Sequence, residues 1–177
     1  FEDPLPQNTL DKCKSCEAVL LACVGDSKYD QLPRELRPES GLLKLRSDLN
    51  LFANIRPVKI RNSLIESSSL KKEVIKNVDL VVVRELTSGI YFGEPRGIIK
   101  NKNKERAFNT MVYNTDEIER ITEIAIQIAK KRNNRICSVD KANVLEVSQL
   151  WRKTVENMAK NYEEIHLSNM YVDNAAM

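Results

Sequence analysis

At 177 residues the chain can form one ordinary domain or parts of two, and its 42% hydrophobic and 30% charged content is that of a soluble globular protein. The net charge of +3 is too mild to argue for nucleic acid, and basic residues alternate with acidic ones as on a solvated face. No apolar run approaches the roughly 20 residues that span a bilayer, so neither a membrane nor a nucleic acid is expected as partner.

The chain opens on Phe1-Glu2-Asp3-Pro4, with no initiator methionine and no signal peptide, and closes where a strand enters a helix. Both ends are read as truncations. Residues 6–15 are expected to form a short helix and residues 18–22, Ala-Val-Leu-Leu-Ala, a buried strand. Residues 24–39 are expected to form a long loop, of a length that is usually functional or mobile. A helix over 41–50 places Leu42, Leu45 and Leu49 on one face, and Leu43 on the adjacent one. A strand over 52–58 carries Arg56 beside Pro57, which marks an edge or a strand end. A short helix over 70–76 leads to a strand over 79–84, apolar enough to read as buried and closed by Arg84.

From residue 91 to 114 the α/β alternation is lost. Residues 97–104 read as a Lys- and Asn-rich loop and 106–113 as extended, together a protruding β arm. Asn114-Thr115-Asp116-Glu117 is a capping box, and Ile118, Ile121, Ala125, Ile128 and Ala129 mark one face of the helix it starts. A strand over 136–140, a helix over 148–160 carrying Trp151, and a strand over 165–172 ending at Asp173 complete the chain. The class is α/β.

Cys13-x-x-Cys16 has the spacing of a redox or zinc half-site, but Cys23 and Cys137 are scattered, so small packed side chains and reduced thiols in the cytoplasm fit better. His166 stands alone, which argues against a histidine-centred triad.

An arginine that closes an apolar strand is either a surface ion pair or faces a ligand at the strand's carboxyl end. Arg46, Arg56 and Arg84 together suit a substrate with more than one carboxylate, because guanidinium meets carboxylate in two-pronged geometry. Lys141, near other cations, would have a lowered pKa and could act as a base; Tyr91 could hand over a proton. Asp173 offers oxygen to a hard cation such as Mg²⁺ or Mn²⁺. Together they suggest an anionic carboxylate site with a divalent metal.

Five stretches carry a more specific likeness: residues 37–46 (RPESGLLKLR), 51–57 (LFANIRP), 83–97 (VRELTSGIYFGEPRG), 138–145 (SVDKANVL) and 170–177 (MYVDNAAM). In this order the chain resembles the β-decarboxylating isocitrate/isopropylmalate dehydrogenases, in their isopropylmalate branch. The resemblance implies a two-domain open sheet with a β arm at about 91–113. Residues 1–51 would belong to the large cofactor-binding domain and 52–177 to the smaller dimerisation domain. It implies NAD-dependent oxidative decarboxylation of a small-molecule 2-hydroxy dicarboxylate, 3-isopropylmalate, for leucine biosynthesis, by a homodimer with shared active sites.

Residue by residue, the resemblance makes Arg46, Arg56 and Arg84 the carboxylate ligands and Tyr91 and Lys141 the catalytic pair. Asp173 becomes a metal ligand that also meets substrate, and Asn143 lies near the nicotinamide. The cofactor loop becomes Asp26-Ser27-Lys28-Tyr29-Asp30-Gln31-Leu32-Pro33-Arg34-Glu35-Leu36-Arg37-Pro38-Glu39, with Glu39 near the ribose. Leu42 and Leu43 stand where isocitrate enzymes carry serine and asparagine, and an apolar pair there suits an isopropyl group and rejects a third carboxylate. Two departures stand out: Gly25-Asp26-Ser27-Lys28-Tyr29 in place of Gly-Gly-Pro-Lys-Trp, and Ser88 in place of glycine. The further metal aspartates of the family are not in these residues, so the 177-residue piece is expected to be inactive alone. Alternatives are a sister enzyme for isocitrate, homoisocitrate or tartrate, or a non-catalytic subunit.

Overall fold

The computed structural model describes residues 3–102 and 104–177. Chain contacts divide it into two units, residues 1–52 and 53–177.

The first unit holds α1 (Gln7–Ser15) and α2 (Pro38–Asp48). Pro38 opens α2 at a position that needs no N–H, Glu39 lies in its first turn and Arg46 in its last, each with the sign the helix dipole favours. Leu5, Leu10 and Leu45 form its core, with Cys13 and Leu49 packed against them. Gly41 lets α2 cross Pro4: a Cβ there would stand 2.8 Å from the Pro4 carbonyl oxygen. Leu45 is buried as expected, while Leu42 and Leu43 are both half-buried.

The expected strand at 18–22 is not formed. Its residues are irregular, and Leu20 is fully exposed. A strand needs a neighbour to take its N–H and C=O groups, and among the described residues nothing pairs with this segment. Cys16, expected to be packed, is exposed.

In the second unit β1 (Ala53–Lys59) pairs antiparallel with β2 (Asp79–Glu85), after a short helix α3 (Lys72–Ile75). β3 (Gly97–Asn101) and β4 (Lys104–Phe108) form a hairpin. α4 (Thr115–Lys130) then leads to β5 (Arg135–Asp140), α5 (Glu146–Ala159), β6 (His166–Tyr171) and the short α6 (Val172–Ala176). β5 and β6 pair parallel, with α5 as crossover. The class is α/β, with the strands paired two by two. Most of the 97–104 stretch read as a loop is therefore strand, and the extension expected to run to 113 stops at Phe108.

α4 lies antiparallel along β2. Arg120 near its start bonds Glu85 at the strand's end, and Arg132 just beyond it bonds Asp79 at the strand's start. Twelve helical residues span about 18 Å and six strand residues about 20 Å, so the two elements match in length. The capping box forms as expected: the Asn114 N–H donates to the Glu117 carboxylate at 2.8 Å, and the Asn114 side chain accepts from the helix backbone. Ile118, Ile121 and Ala129 are buried with Ile126, which the single-face reading left out.

The reading of residues 79–84 as a buried strand is corrected. Period-two alternation points Asp79, Val81, Val83 and Glu85 toward α4 and leaves Leu80 and Val82 on an open face, 46% and 47% exposed.

Candidate active site

Arg84 shares the open face of β2 with its cross-strand partners. The register sets Arg84 opposite Asn54 and Val82 opposite Arg56, so both arginines rise from one face as diagonal neighbours. Arg56 Nε donates to Asn54 Oδ1 at 2.5 Å. Past the strand, Thr87-Ser88-Gly89 turns the chain back, and the Tyr91 ring centroid comes to lie 5.4 Å from the Arg84 guanidinium carbon. Gly89 makes the turn possible with φ +79°, and a Cβ there would stand 2.5 Å from the Tyr113 hydroxyl. Ser88 is extended, and its hydroxyl donates to the Val112 carbonyl at 2.8 Å. Burial pushes the Tyr113 phenol above its usual range.

Lys141 and Asp173 form a second cluster, at the carboxyl ends of the parallel β5 and β6, where open α/β sheets bind ligands. Lys141 Nζ donates to Asp173 Oδ2. The ammonium holds the Asp173 carboxyl below the usual carboxylate range. The neighbour of Lys141 is thus an anion, where the sequence reading placed cations. Asn143 is exposed in the turn that follows Lys141.

In the first unit the loop that starts at Asp26 is held by its own bonds. Asp26 caps a short turn by accepting from the Lys28 N–H at 3.0 Å. The Arg37 guanidinium donates to the carbonyls of Leu32 and Asp30 at 2.9 and 2.7 Å. A Cβ on Gly25 would stand 2.7 Å from Glu39 Oε1, so the ends of the loop meet. Tyr29, Leu32 and Leu36 stay exposed. Arg46 and the pair Leu42 and Leu43 lie on α2 of the same unit.

Over residues 1–177 the chain matches the family model for isocitrate/isopropylmalate dehydrogenase. The chain belongs to that family. It is 72% identical over 177 residues, 100% of this chain and 50% of the relative, to a 3-isopropylmalate dehydrogenase of Prochlorococcus marinus (strain MIT 9312). To that of Prochlorococcus marinus subsp. pastoris it is 71% identical over 175 residues, 99% of this chain and 49% of the relative. The chain thus spans about half the length of the curated relatives it matches. Among solved structures, isocitrate dehydrogenase from Methylococcus capsulatus matches with TM-score 0.72 at 29% identity, over 98% of this chain and 48% of that one. A protein from Thermus thermophilus matches with TM-score 0.75 at 22% identity, over 99% of this chain and 33% of that one, a likeness of fold alone.

In this isocitrate/isopropylmalate dehydrogenase chain two residues beside the site escaped the sequence reading. Glu85 and Asp140 are buried acids next to Arg84 and Lys141. Glu85 pairs with Arg120 at 2.7 Å and Asp140 with Arg152 at 2.8 Å. The signal was present: each ends its strand one residue from a site cation, so alternation sends it to the opposite, helix-covered face.

Proposed function

We propose that the full-length protein is an NAD-dependent 3-isopropylmalate dehydrogenase of leucine biosynthesis, which converts 3-isopropylmalate to 2-oxo-4-methylpentanoate. The observation that carries this reading is the 72% identity, over all 177 residues, to a relative of that name. The geometry supports it through Arg56 and Arg84 on one open sheet face, Tyr91 stacked on Arg84, and Lys141 bonded to Asp173.

Arg46, Arg56 and Arg84 are the proposed carboxylate ligands. Lys141, once its own proton has passed to solvent, takes the hydroxyl proton as the neutral amine, and Tyr91 returns a proton to the substrate carbon after carbon dioxide leaves. Asp173 fits a hard cation, since its exposed carboxyl is kept ionised. Among the described residues no group of three His, Cys, Asp or Glu could hold a metal, so Asp173 would supply one ligand of a larger shell. The self-bonded loop at 26–39, with exposed Tyr29, Leu32 and Leu36, fits a cofactor laid along it, with Asn143 toward the nicotinamide. When bound, NAD accepts the hydride and Mg²⁺ or Mn²⁺ acts as a Lewis acid on the substrate oxygens. The β3–β4 hairpin, with Ile98 62% and Ile99 50% exposed, supports a homodimer with shared active sites. Four free cysteines support a cytoplasmic setting.

The second reading, isocitrate as substrate, is favoured by the match to an isocitrate dehydrogenase structure. Turnover of 3-isopropylmalate, isocitrate and tartrate by the full-length protein separates the two. We expect kcat/KM for 3-isopropylmalate to exceed that for isocitrate at least about a hundredfold, and Leu42→Ser with Leu43→Asn to narrow the gap. A preference for isocitrate before mutation overturns the reading.

A further inference from the structure

We infer that Glu85 and Asp140 are positioning residues, each a buried carboxylate that aims the site cation beside it, Arg84 and Lys141 respectively. The inference rests on the proposed function, since it assigns a purpose to two groups beside that site.

The two acids occupy equivalent places. Each is the last residue of its strand. Each is locked by an arginine from the helix behind its strand, Arg120 of α4 and Arg152 of α5. Their side chains are 1% and 2% exposed. A carboxylate that deep costs more to bury than leucine, so packing alone does not call for one at either place.

Their remaining bonds go to the chain just past the strand. Glu85 Oε2 accepts the N–H groups of Thr87 and Ser88, each at 2.9 Å, and Oε1 accepts the Thr87 hydroxyl at 2.8 Å. Asp140 Oδ1 accepts the Ala142 N–H at 2.9 Å, while Arg152 grips both of its oxygens. The acid therefore fixes where the chain leaves the strand. In one case the exit carries Tyr91 back onto Arg84; in the other it presents Lys141 to Asp173. With the acid held inward, the neighbouring cation is held outward.

Asp79 is an internal control. It makes the same helix-to-strand ion pair at the far end of α4, through Arg132, but it is exposed and, among the described residues, accepts no N–H from a turn.

The test uses the full-length protein with 3-isopropylmalate, NAD and Mg²⁺, and compares Glu85→Gln, Asp140→Asn and Asp79→Asn. An amide nitrogen cannot accept an N–H, so each variant gives up either a turn bond or a bond from the arginine that locks it. A small displacement of a reacting group costs one to two orders of magnitude. We expect Glu85→Gln to raise KM for the hydroxy acid about tenfold, with the KM for NAD unmoved. Asp140→Asn lowers kcat about tenfold with KM within about twofold, and Asp79→Asn changes neither. If the acid variants behave like Asp79→Asn, or only lose apparent kcat in step with the folded fraction with KM unmoved, the inference fails. Should either not fold, Arg120→Gln and Arg152→Gln carry the same expectation with the carboxylate in place, and no split there overturns it. A wild type that forms no NADH from 3-isopropylmalate sinks the proposed function instead. Amide exchange still decides the inference in that case: it must speed up at residues 86–91 in Glu85→Gln and at 141–144 in Asp140→Asn, and unchanged exchange overturns it.

Discussion

The guanidinium carbon of Arg84 stands 5.4 Å from the centroid of the Tyr91 ring. A cation over an aromatic face is attracted by the ring's quadrupole, so the ring steadies the arginine, and the hydroxyl is left to the proposed proton transfer. Tyr91→Phe separates the two roles. The ring remains, so KM for 3-isopropylmalate should stay within about twofold, while kcat falls on the order of a hundredfold with the proton donor gone. Tyr91→Leu removes the ring as well and should raise KM further. Steady-state formation of the 2-oxo acid by the full-length protein measures both.

Asp173 has two proposed partners, the Lys141 ammonium and a divalent cation. Asp173→Asn keeps the shape and removes the charge. The Mg²⁺ concentration for half-maximal rate is expected to rise about tenfold or more, since a neutral amide is a poorer ligand for a hard cation. A titration of the rate against MgCl₂ checks this, and an unchanged midpoint removes Asp173 from the metal shell.

Gly89 combines φ +79° with a hydroxyl 2.5 Å from where a Cβ would sit. Gly89→Ala is therefore expected to destabilise the protein by about 2 kcal/mol, part backbone strain and part collision. Tyr113→Phe takes the colliding oxygen away. The double variant should lose less than the two single losses added together, and thermal or denaturant melts of the three proteins test the coupling.

The pH dependence of stability follows from the depressed carboxylates. Asp79 is held down by the Arg132 hydrogen bond, Glu123 by Gln127 and Tyr162, Glu164 by Lys130, and Asp173 by Lys141. A folded-state pKa below the unfolded one contributes stability that is complete above the unfolded value and fades as pH falls through the folded one. The ordinary values are 3.8 for Asp and 4.5 for Glu. Lys130 is shifted up by Glu164, so its share is complete below 10.5 and lost at higher pH. The melting temperature should be level through neutral pH and drop below about pH 4.5. A decline that begins between pH 6 and 8 would contradict it.

Much of the fold was legible because its signals are local. A capping box spans four residues and a helix face repeats every three or four, whereas α2 begins at Pro38, three residues before the expected start at 41. Arg56, Arg84, Lys141 and Asp173 were singled out by residue type at strand ends or loop edges, Arg46 on a helix and Tyr91 past a turn, and all six by motif order. These readings need no knowledge of what lies across the chain.

The rest depended on neighbours distant in sequence. Whether Leu80 and Val82 are covered is decided by what packs on the second face of β2, and α4 covers only the first. Whether 18–22 becomes a strand is decided by a pairing partner. Glu85 is buried because Arg120, 35 residues on, closes over it. By itself the sequence determined the α/β class, the positions of most elements and the residues offered for chemistry. Only the tertiary structure decided which strand faces are open, that Tyr91 folds back onto Arg84, and that Lys141 meets Asp173. Backbone propensity and periodicity act within a few residues, whereas burial and ion pairing are set by contacts the chain makes only once it has folded.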